Sequence, residues 1–306
     1  MSVITPNPMP LHGGAGRSGS IVAAFQGAPG AFSEAAAVAL VGERASTLPC
    51  SRFDDVFDAV ASGRTACGVV PVENTLAGTV HAVVDLLLAR DLAIVGETVL
   101  RISHALIGTP GARIEDVRRV LSHPVALQQC TGFFAARPHV EAVAVYDTAG
   151  AVEMVVRAGD PADAAIAGAN AAAVYGGSVL AEGLEDDPAN FTRFVRVVRR
   201  DRVPLRYDES TVGVKTTIVF TVANRPGALL DCLRPFADRG IDLAKLESRP
   251  LRGSPFEYAF LVDLVGDAAE TDVDAALAEL VGVTRSVRVL GSYPSAPGTY
   301  PGDAAV

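Results

Sequence analysis

Cysteine and histidine are scarce in this sequence, and neither residue type occurs in a spacing that binds metal. The four cysteines lie far apart, without a CxxC pair, which excludes the common zinc motifs and a disulfide framework. We interpret them as small core residues. They are Cys50, Cys67, Cys130 and Cys232. The five histidines include no HExxH or HxH pair, so we expect no metal centre.

Long apolar runs and clusters of positive charge are also missing. The longest apolar stretch, residues 80–96, contains three charged residues, whereas a membrane-spanning helix needs about 20 nearly uncharged residues. Lysine and arginine total 26 against 35 acidic residues, a net charge of −9, and no basic cluster exceeds residues 199–202. The composition therefore predicts a protein that binds neither membranes nor nucleic acid.

The chain length and the first residues bear on organisation and location. A chain of 306 residues predicts about two domains, because one domain typically takes about 150 residues. Residues 1–20 have no apolar core of the kind that an export signal carries. We interpret them as the flexible leader of a cytoplasmic protein.

Residues 21–198 alternate short apolar strands with helical patterns, and Gly, Pro, Asn or Asp turns separate these elements. Residues 21–25 predict a strand, and Ser33 is typical of the hydroxyl that begins a helix. Residues 92–95 and 99–107 predict two further strands. This alternation predicts an α/β domain with parallel sheets.

The composition changes after Val198. Residues 199–213 are charged and contain proline, which predicts a linker between domains. Residues 214–293 follow the order βαββαβ, which is the ferredoxin-like arrangement, and about 80 residues is the length of one copy. Residues 294–306 are rich in Pro, Gly and Ala, which predicts a disordered tail.

Polar residues collect in four turns of the first domain, where the ligand of a parallel sheet would lie. The turns span residues 71–75, 122–124 with 128–129, 147–150, and 190–194. Each could simply cap a helix, which is the ordinary role of Asn, Ser and Thr in such turns. Thr192 and Arg193 differ because they interrupt an apolar strand pattern, where burying a hydroxyl and a guanidinium is costly.

Six strings carry a resemblance to a known family. GAPGAFSEAA, GVVPVENTLAGTV, LSHPVALQQC and NFTRFV, in this order and spacing, resemble prephenate dehydratase. NRPGALL and LESRP resemble the C-terminal ACT regulatory domain of that family. The resemblance covers residues 21 to about 293. It implies an α/β protein whose catalytic domain has two lobes, similar to type II periplasmic binding proteins, followed by a ferredoxin-like ACT domain.

The resemblance also implies a reaction, the conversion of prephenate to phenylpyruvate with loss of carbon dioxide and water in phenylalanine biosynthesis. Formation of the aromatic ring drives this reaction, so we expect no cofactor. Prephenate carries two carboxylates, so the site needs donors for these anions and an acid that assists the departing hydroxyl. Because the net charge is negative, these donors must act locally.

By resemblance, Thr192 is the catalytic residue, and Arg193 is a neighbouring cation that favours negative charge at the departing oxygen. Whether Arg193 is catalytic or structural stays open. His123 is less suited to be a general acid, because Pro124 after it is typical of a helix start. The resemblance implies further residues that bind substrate. These are Asn74, Thr75, Ser122, Gln129, Thr148, Ala149 and Phe194.

NRPGALL lies at the predicted start of the first ACT helix, where free backbone amides suit a carboxylate. By resemblance this is the phenylalanine-binding site, completed by LESRP across a subunit interface, with Glu247 near the ammonium of the ligand. The predicted residues are Asn224, Pro226, Gly227, Ala228, Leu229, Leu230, Glu247, Ser248, Arg249 and Pro250. The resemblance implies a homodimer or homotetramer formed through ACT domains, with phenylalanine as the allosteric effector.

Two alternatives remain open at this stage. The first is arogenate dehydratase, because the string DTAGA places Asp147 near the substrate, and arogenate carries an ammonium group that tolerates a carboxylate. The second is a non-catalytic amino-acid sensor or solute-binding protein with the same two lobes. The motif of residues 192–194 favours an enzyme.

Overall fold

The structure of the protein is a computed structural model that describes residues 21–204, 213–251 and 256–296. The predicted leader at residues 1–20 lies outside the described residues. So do residues 205–212 of the predicted linker and residues 297–306 of the predicted tail.

The secondary structure of the first two hundred residues alternates strands and helices, as the sequence predicts. The elements up to residue 101 are β1 (Val22–Gln26), α1 (Phe32–Val41), β2 (Ser46–Cys50), α2 (Phe53–Ala61), β3 (Cys67–Asn74), β4 (Gly78–Thr79), α3 (His81–Ala89) and β5 (Leu92–Arg101). The next are β6 (Ala105–Gly108), β7 (Arg119–Ser122), α4 (Pro124–Gln128), α5 (Thr131–Ala135), β8 (Glu141–Ala144), α6 (Thr148–Ala158), β9 (Asp163–Ala167), α7 (Asn170–Tyr175), β10 (Ser178–Glu182) and β11 (Phe191–Arg199).

The C-terminal elements confirm the predicted βαββαβ order. They are β12 (Val214–Thr221), α8 (Ala228–Ala237), β13 (Leu243–Pro250), β14 (Tyr258–Val265), α9 (Thr271–Val283) and β15 (Ser286–Pro294). Strand β15 runs to the first residue of the predicted tail, and Ala296 is buried, with its N–H donating to Glu97. Residues 294 and 296, which the sequence assigns to a disordered tail, are therefore part of the ordered structure.

The strands form three sheets, with the orders β2-β1-β3-β11-β5, β10-β6-β9-β7-β8 and β13-β14-β12-β15, and β4 pairs with β3. Strand β1 is parallel to β2 and β3, but β6 is antiparallel to both of its neighbours, β9 and β10. The α/β prediction is confirmed, while the prediction of parallel sheets holds only in part for the second sheet, where β7 is parallel to β8 and β9 but β6 is antiparallel to its neighbours. Strand β6 follows β5 of the first sheet without a helical crossover, so nothing imposes a parallel direction on it.

The described chain divides into two compact units. The first contains the residues up to Val83 together with Thr98–Phe194. The second contains Val84–Glu97 together with the residues from Val195 onward. The second unit thus includes part of α3 and part of β5, which the sequence assigns to the first domain.

Local patterns explain where the helices of the first lobe begin and end. Val56 and Phe57 of α2 are fully buried, as their spacing predicts, and Gly63 ends the helix with a positive φ of 75°. Ser33 does not cap α1, contrary to the prediction. The helix begins at Phe32, and Ser33 is buried inside its first turn, where its side chain packs instead of capping.

The predicted break between strands 92–95 and 99–107 is also wrong. Strand β5 continues through Gly96 and Glu97 to Arg101, and the chain then turns before β6. The Glu97 carboxylate is buried without interrupting the strand because the ammonium of Lys215 lies 2.6 Å from it. That partner follows far along the chain, so the local pattern contains no sign of it.

The second sheet and the ACT domain have separate apolar cores. In the second lobe α6 packs on β9 and buries Ala149, Val152 and Val155. The ACT core includes Phe220 and Phe236. The four cysteines are buried and free, which confirms that they are core residues. Across residues 21–204, 213–251 and 256–296, no helix is long and apolar enough to cross a membrane.

Candidate functional site

The start of β11 lies beside the end of β3. The sequence instead predicts that residues 190–194 form a polar turn that follows a strand. The N–H of Thr75 donates to the carbonyl of Phe191 at 2.9 Å, and the N–H of Phe191 donates to the Thr75 hydroxyl at 2.9 Å. The same hydroxyl donates to the carbonyl of Ala189 at 2.7 Å. Thr75, which the resemblance assigns to substrate, thus holds the start of β11 in place.

The side-chain amide of Asn74 is oriented by its own turn. Its Oδ1 accepts hydrogen bonds from the N–H groups of Leu76 and Ala77, at 3.0 and 2.7 Å. The NH2 group therefore faces the other way, toward Asn190 Oδ1 at 2.8 Å and Thr192 Oγ1 at 2.9 Å. Asn74 lies in the predicted site, but both the oxygen and the NH2 group of its amide form hydrogen bonds within the protein.

The Thr192 side chain is 8% exposed and is set up to donate a hydrogen bond. Its oxygen accepts from Asn74, so its own proton must point elsewhere. Among the described residues this proton meets no acceptor. A buried hydroxyl with a free proton is suited to assist a departing oxygen.

A second set of polar side chains continues from Asn74 into the second lobe. Asn190 is fully buried, and its Nδ2 donates to Gln129 Oε1 at 3.0 Å. The same Oε1 lies 3.0 Å from Nε2 of His104. Gln129 directly follows α4 of the second lobe. We call these five side chains, His104, Gln129, Asn190, Asn74 and Thr192, the amide relay.

His104 is the titratable side chain of the amide relay, and 2% of its surface is exposed. Burial lowers the pKa of its imidazole, so the ring is neutral at pH 7. Its Nδ1 has no partner among the described residues. The ring packs edge to face against Phe32, with 5.9 Å between the ring centroids, and its backbone N–H donates to Glu185 at 2.8 Å.

Ser122 is buried at the end of β7 and bonds within the second sheet. Its hydroxyl donates to the carbonyl of Ile166 at 2.6 Å, which ties β7 to β9. His123 caps α4, because its Nδ1 accepts from the N–H of Val125 at 3.2 Å, and Pro124 opens the helix. The structural role expected for His123 is confirmed, and Ser122 offers a ligand only the lone pairs of its oxygen.

The turn before α6 presents backbone rather than side-chain donors. The Asp147 carboxylate accepts from the N–H of Gly150 and caps the helix, which begins at Thr148. Ala149 is fully buried in the core. Because the first N–H groups of a helix have no intrahelical partner, that of the partly exposed Thr148 suits a carboxylate.

Arg193 and Phe194 follow Thr192 along β11, and both are buried. Successive side chains of a strand point to opposite faces, so Arg193 faces away from Thr192, whereas Phe194 shares its face. This alternation favours a structural role for Arg193. Its role in catalysis stays a prediction.

Sequence reasoning missed Asn190 and His104. Asn190 opens the NFTRFV string, and a fully buried asparagine beside two other amides could be found only from the fold. The sequence predicts no role for His104, because this histidine is not part of a metal-binding HExxH or HxH pair. A lone histidine between two apolar strands was the available signal.

The ACT domain contains a hollow of about 160 Å³ beside the start of α8. Its lining includes the predicted residues Asn224, Ala228 and Leu229. The remaining lining residues are Val222, Ala223, Arg225, Phe256, Glu257, Tyr258 and Phe260. Gly227 has a positive φ of 79° where the turn enters α8, a conformation that a glycine adopts without strain.

The other predicted residues of the effector site lie away from this hollow within one chain. Pro226 and Gly227 are exposed in the turn, and Leu230 is exposed on α8. Residues 247–250 lie on β13, and none of them lines the hollow in the described part of the chain. Arg249 instead forms a two-pronged ion pair with Asp85 of α3.

Within residues 21–204, 213–251 and 256–296, no three or more His, Cys, Asp or Glu side chains form a group that could hold a metal ion. The donors described above are hydroxyl, amide and backbone N–H groups. Such groups bind and polarise an organic anion.

Comparison with known families matches both parts of the chain. The family described as Prephenate dehydratase matches residues 23–202, and the family described as ACT domain matches residues 216–282. Arogenate dehydratase/prephenate dehydratase 6, chloroplastic, of Arabidopsis thaliana is 40% identical over 309 residues, covering 96% of this chain and 72% of that protein.

Two solved structures align over most of the chain. Prephenate dehydratase of Arthrobacter aurescens in complex with L-Phe has a TM-score of 0.80 and 33% identity, covering 89% of this chain and 90% of that chain. A structure described as GqqA, a novel type of quorum quenching acylases, has a TM-score of 0.80 and 38% identity, covering 90% of this chain and 98% of that chain.

Proposed function

Because this chain belongs to the prephenate dehydratase family, we propose that it converts prephenate to phenylpyruvate under the control of phenylalanine. The family relationship supports a dehydratase of aromatic amino acid biosynthesis with a C-terminal ACT domain. The observation that carries the proposal is the Thr192 hydroxyl, which accepts a hydrogen bond from Asn74 and keeps its own proton free.

The reaction needs a donor at one atom of the substrate. The ring carboxylate leaves as carbon dioxide, and the electrons of that carbon–carbon bond form the last double bond of the aromatic ring. The hydroxyl on the opposite ring carbon leaves with its bonding electrons and takes up a proton, so that it departs as water. Thr192 donates a hydrogen bond to this oxygen in the transition state, and the proton consumed comes ultimately from solvent.

The two carboxylates of prephenate need separate donors. The NH2 group of Gln129 is half-buried, and no described residue accepts from it, so it can bind one anion. The first N–H group of α6, at the partly exposed Thr148, suits the other. Ser122, Phe194 and Arg193 then support this arrangement from within the sheets.

Replacement of Thr192 tests the proposal. The Thr192→Ala variant should lose about 10²-fold or more of kcat, the usual effect of removing a donor to a departing group, while Thr192→Ser keeps part of it. Thr47→Ala, at a hydroxyl that pairs with Glu34 in the same lobe, is the matched control. Thermal melting of each variant separates a loss of chemistry from a loss of folding. Near wild-type turnover by Thr192→Ala would exclude Thr192 as the donor.

Arogenate is the second candidate substrate, since a relative carries both activities in its name. Arogenate differs from prephenate by an ammonium group in place of the ketone. Asp147 caps α6 beside Thr148, so its carboxylate lies at the helix end where we place the substrate side chain. Parallel measurement of kcat/KM on both substrates distinguishes them.

A functional class other than a dehydratase is suggested by the acylase named above, which is similar to this chain. Acyl transfer through a hydroxyl needs a base within hydrogen-bond reach of that hydroxyl. Thr192 is contacted instead by an amide donor, and Ser122 donates to a backbone carbonyl. This geometry favours the dehydratase over an acylase and over a non-catalytic sensor, and turnover of prephenate tests all three.

We place the phenylalanine site at the hollow beside α8. The N-terminal amides of that helix suit the carboxylate, and the Phe256, Tyr258 and Phe260 side chains supply an apolar wall for the ring. The solved relative in complex with L-Phe supports the choice of effector. Calorimetry with phenylalanine and the full chain tests it, and absence of binding would contradict it.

The proposed homodimer or homotetramer would form through the ACT sheet. Strand β13 is one of the two edge strands of that sheet in the described structure, so its outer backbone groups are available to a second chain. Such pairing would bring residues 247–250 of one chain toward the hollow of its partner. Light scattering measures the assembly. A cytoplasmic location stays a prediction, since the name of a plant relative places that protein in the chloroplast.

A further inference from the structure

We propose that His104 is a positioning residue, which orients the Gln129 side chain so that its NH2 group faces the substrate. The role of Gln129 as a substrate donor belongs to the proposed function, so this proposal rests on that function. The orientation of Gln129 itself follows from contacts within the protein.

The direction of the amide relay is determined at Asn74. Two backbone N–H groups donate to Asn74 Oδ1, so the NH2 group of Asn74 must face Asn190 Oδ1. Asn190 then presents its own NH2 group to Gln129, 3.0 Å away. The atom of Gln129 that meets it is therefore the acceptor, Oε1.

The same acceptor decides the tautomer of His104. Nε2 of His104 lies 3.0 Å from Gln129 Oε1, and an oxygen can pair with this nitrogen only when the nitrogen carries a proton. The ring is neutral because burial lowers its pKa. Its proton therefore sits on Nε2, and Nδ1 carries none.

Two donors on one oxygen hold the Gln129 amide in a single orientation. With Oε1 directed inward at His104 and Asn190, Nε2 must point outward, and no described residue accepts from it. A glutamine side chain has three rotatable bonds, so ordering it before substrate arrives lowers the entropic cost of binding. Without the imidazole, Asn190 alone would hold the amide.

The surroundings of His104 do not favour a purely packing role. Nδ1 is buried with no partner among the described residues, which is unfavourable for a polar atom. A phenylalanine would fill the same volume beside Phe32 without leaving a nitrogen unpaired. The position is better explained by the one hydrogen bond that the imidazole donates.

A double-mutant cycle tests whether His104 acts through Gln129. We expect His104→Phe to raise KM for prephenate about tenfold with a smaller change in kcat, as the loss of one ordered donor predicts. In a Gln129→Ala background the same change should have almost no further effect, because nothing remains to be oriented. Effects that multiply in the double variant, or a His104→Phe enzyme with wild-type KM, would overturn the proposal.

The imidazole nitrogens of the wild-type chain give a second measurement that needs no variant. Labelled with ¹⁵N, His104 should show a protonated Nε2 and a bare Nδ1 at neutral pH. An Nδ1–H tautomer or an imidazolium would overturn the proposal even if every variant failed to fold. This spectrum does not depend on turnover. A wild-type chain that shows the expected tautomer but leaves prephenate unchanged would contradict the proposed function alone.

Discussion

The guanidinium of Arg249 donates two hydrogen bonds to the carboxylate of Asp85, at 2.9 and 3.0 Å. Arg249 belongs to the LESRP string on β13, and Asp85 lies on α3. The two side chains are 18% and 27% exposed, so water screens this pair less than a surface pair. Helix α3 comes after the turn that contains Asn74. The ion pair therefore joins β13 to the helix that follows this turn in the chain.

A second arginine of the ACT domain contacts the C-terminal end of α3. Arg288 donates to the carbonyls of Leu87 and Leu88, at 2.6 and 2.8 Å, where the last carbonyls of a helix have no intrahelical partner. Both arginines therefore hold α3 to the ACT domain. Arg249 is better suited to couple the effector to this helix than to contact the effector itself.

Asp85→Asn should weaken regulation while leaving the reaction intact. It removes the charge that holds Arg249, so the change in activity caused by saturating phenylalanine should shrink by at least about half, a coupling loss of the usual size. Activity without phenylalanine should stay within about twofold of wild type. The control is Glu279→Gln, which breaks the ion pair between Glu279 and Arg239. An unchanged response in Asp85→Asn would show that the pair does not transmit the signal.

Asn74→Asp separates the two functions of the Asn74 amide. The substituted side chain still accepts from the turn N–H groups, but it no longer donates to Thr192. We expect kcat lower by about 10-fold or more, because Thr192 then donates its proton inward, and some loss of stability, because the new carboxylate oxygen also faces the acceptor Asn190 Oδ1. Asn74→Ala should lose stability too, by about 1–3 kcal/mol, since the turn N–H groups lose their acceptor. Chemical denaturation and initial rates give both quantities, and equal kcat in Asn74→Asp and wild type would contradict the account.

Lys215 and Glu97 form a buried ion pair, with side chains 2% and 0% exposed. Lys215→Met leaves the Glu97 carboxylate buried without this partner and should cost about 3–5 kcal/mol of unfolding free energy. Adding Glu97→Gln should recover part of that loss, because the uncompensated charge is removed. Urea unfolding of the two single variants and the double variant measures this. Additive losses would show that the two side chains do not stabilise each other.

Stability should fall as the pH is lowered below about 6.5, and His104 should account for part of the fall. Burial lowers the pKa of His104 in the folded chain, whereas the unfolded chain protonates near the ordinary value of 6.5. Below that pH the unfolded state binds a proton that the folded state does not, so stability rises with pH across this window. The groups around the ring are Gln129, Phe32 and Glu185, and the Glu185 charge opposes the shift without reversing it.

The comparison of wild type with His104→Phe isolates this contribution. Between about pH 7.5 and 5.5, wild type should lose more unfolding free energy than the variant. Equal slopes against pH would mean that the pKa of His104 does not change on folding.

The fold was predictable wherever the causes are local. The spacing of Val56, Phe57 and Val60 predicts α2 and its buried face, and the βαββαβ order of the ACT domain follows from short-range patterns. The continuity of β5 was not predictable, because Glu97 is tolerated only through Lys215, 118 residues later. Antiparallel pairing of β6 likewise depends on which sheet the strand enters.

The candidate site was predictable only in its motif residues. Asn74 and Thr192 are 118 residues apart in the chain, and their side chains form a hydrogen bond. The link through Asn190 and Gln129 to His104 was not predictable, since it depends on the close approach of two lobes. The partner of Arg249 was missed for the same reason, because nothing in LESRP points to Asp85 on α3.

The measurement that tests the central claim most directly is kcat/KM of the purified wild-type chain on prephenate and on arogenate, with product identified in each case. Phenylpyruvate, followed by its absorbance in alkali, should form from prephenate with the higher kcat/KM, and Thr192→Ala should abolish most of it. A higher kcat/KM on arogenate, or no turnover of prephenate by the folded protein, would contradict the claim.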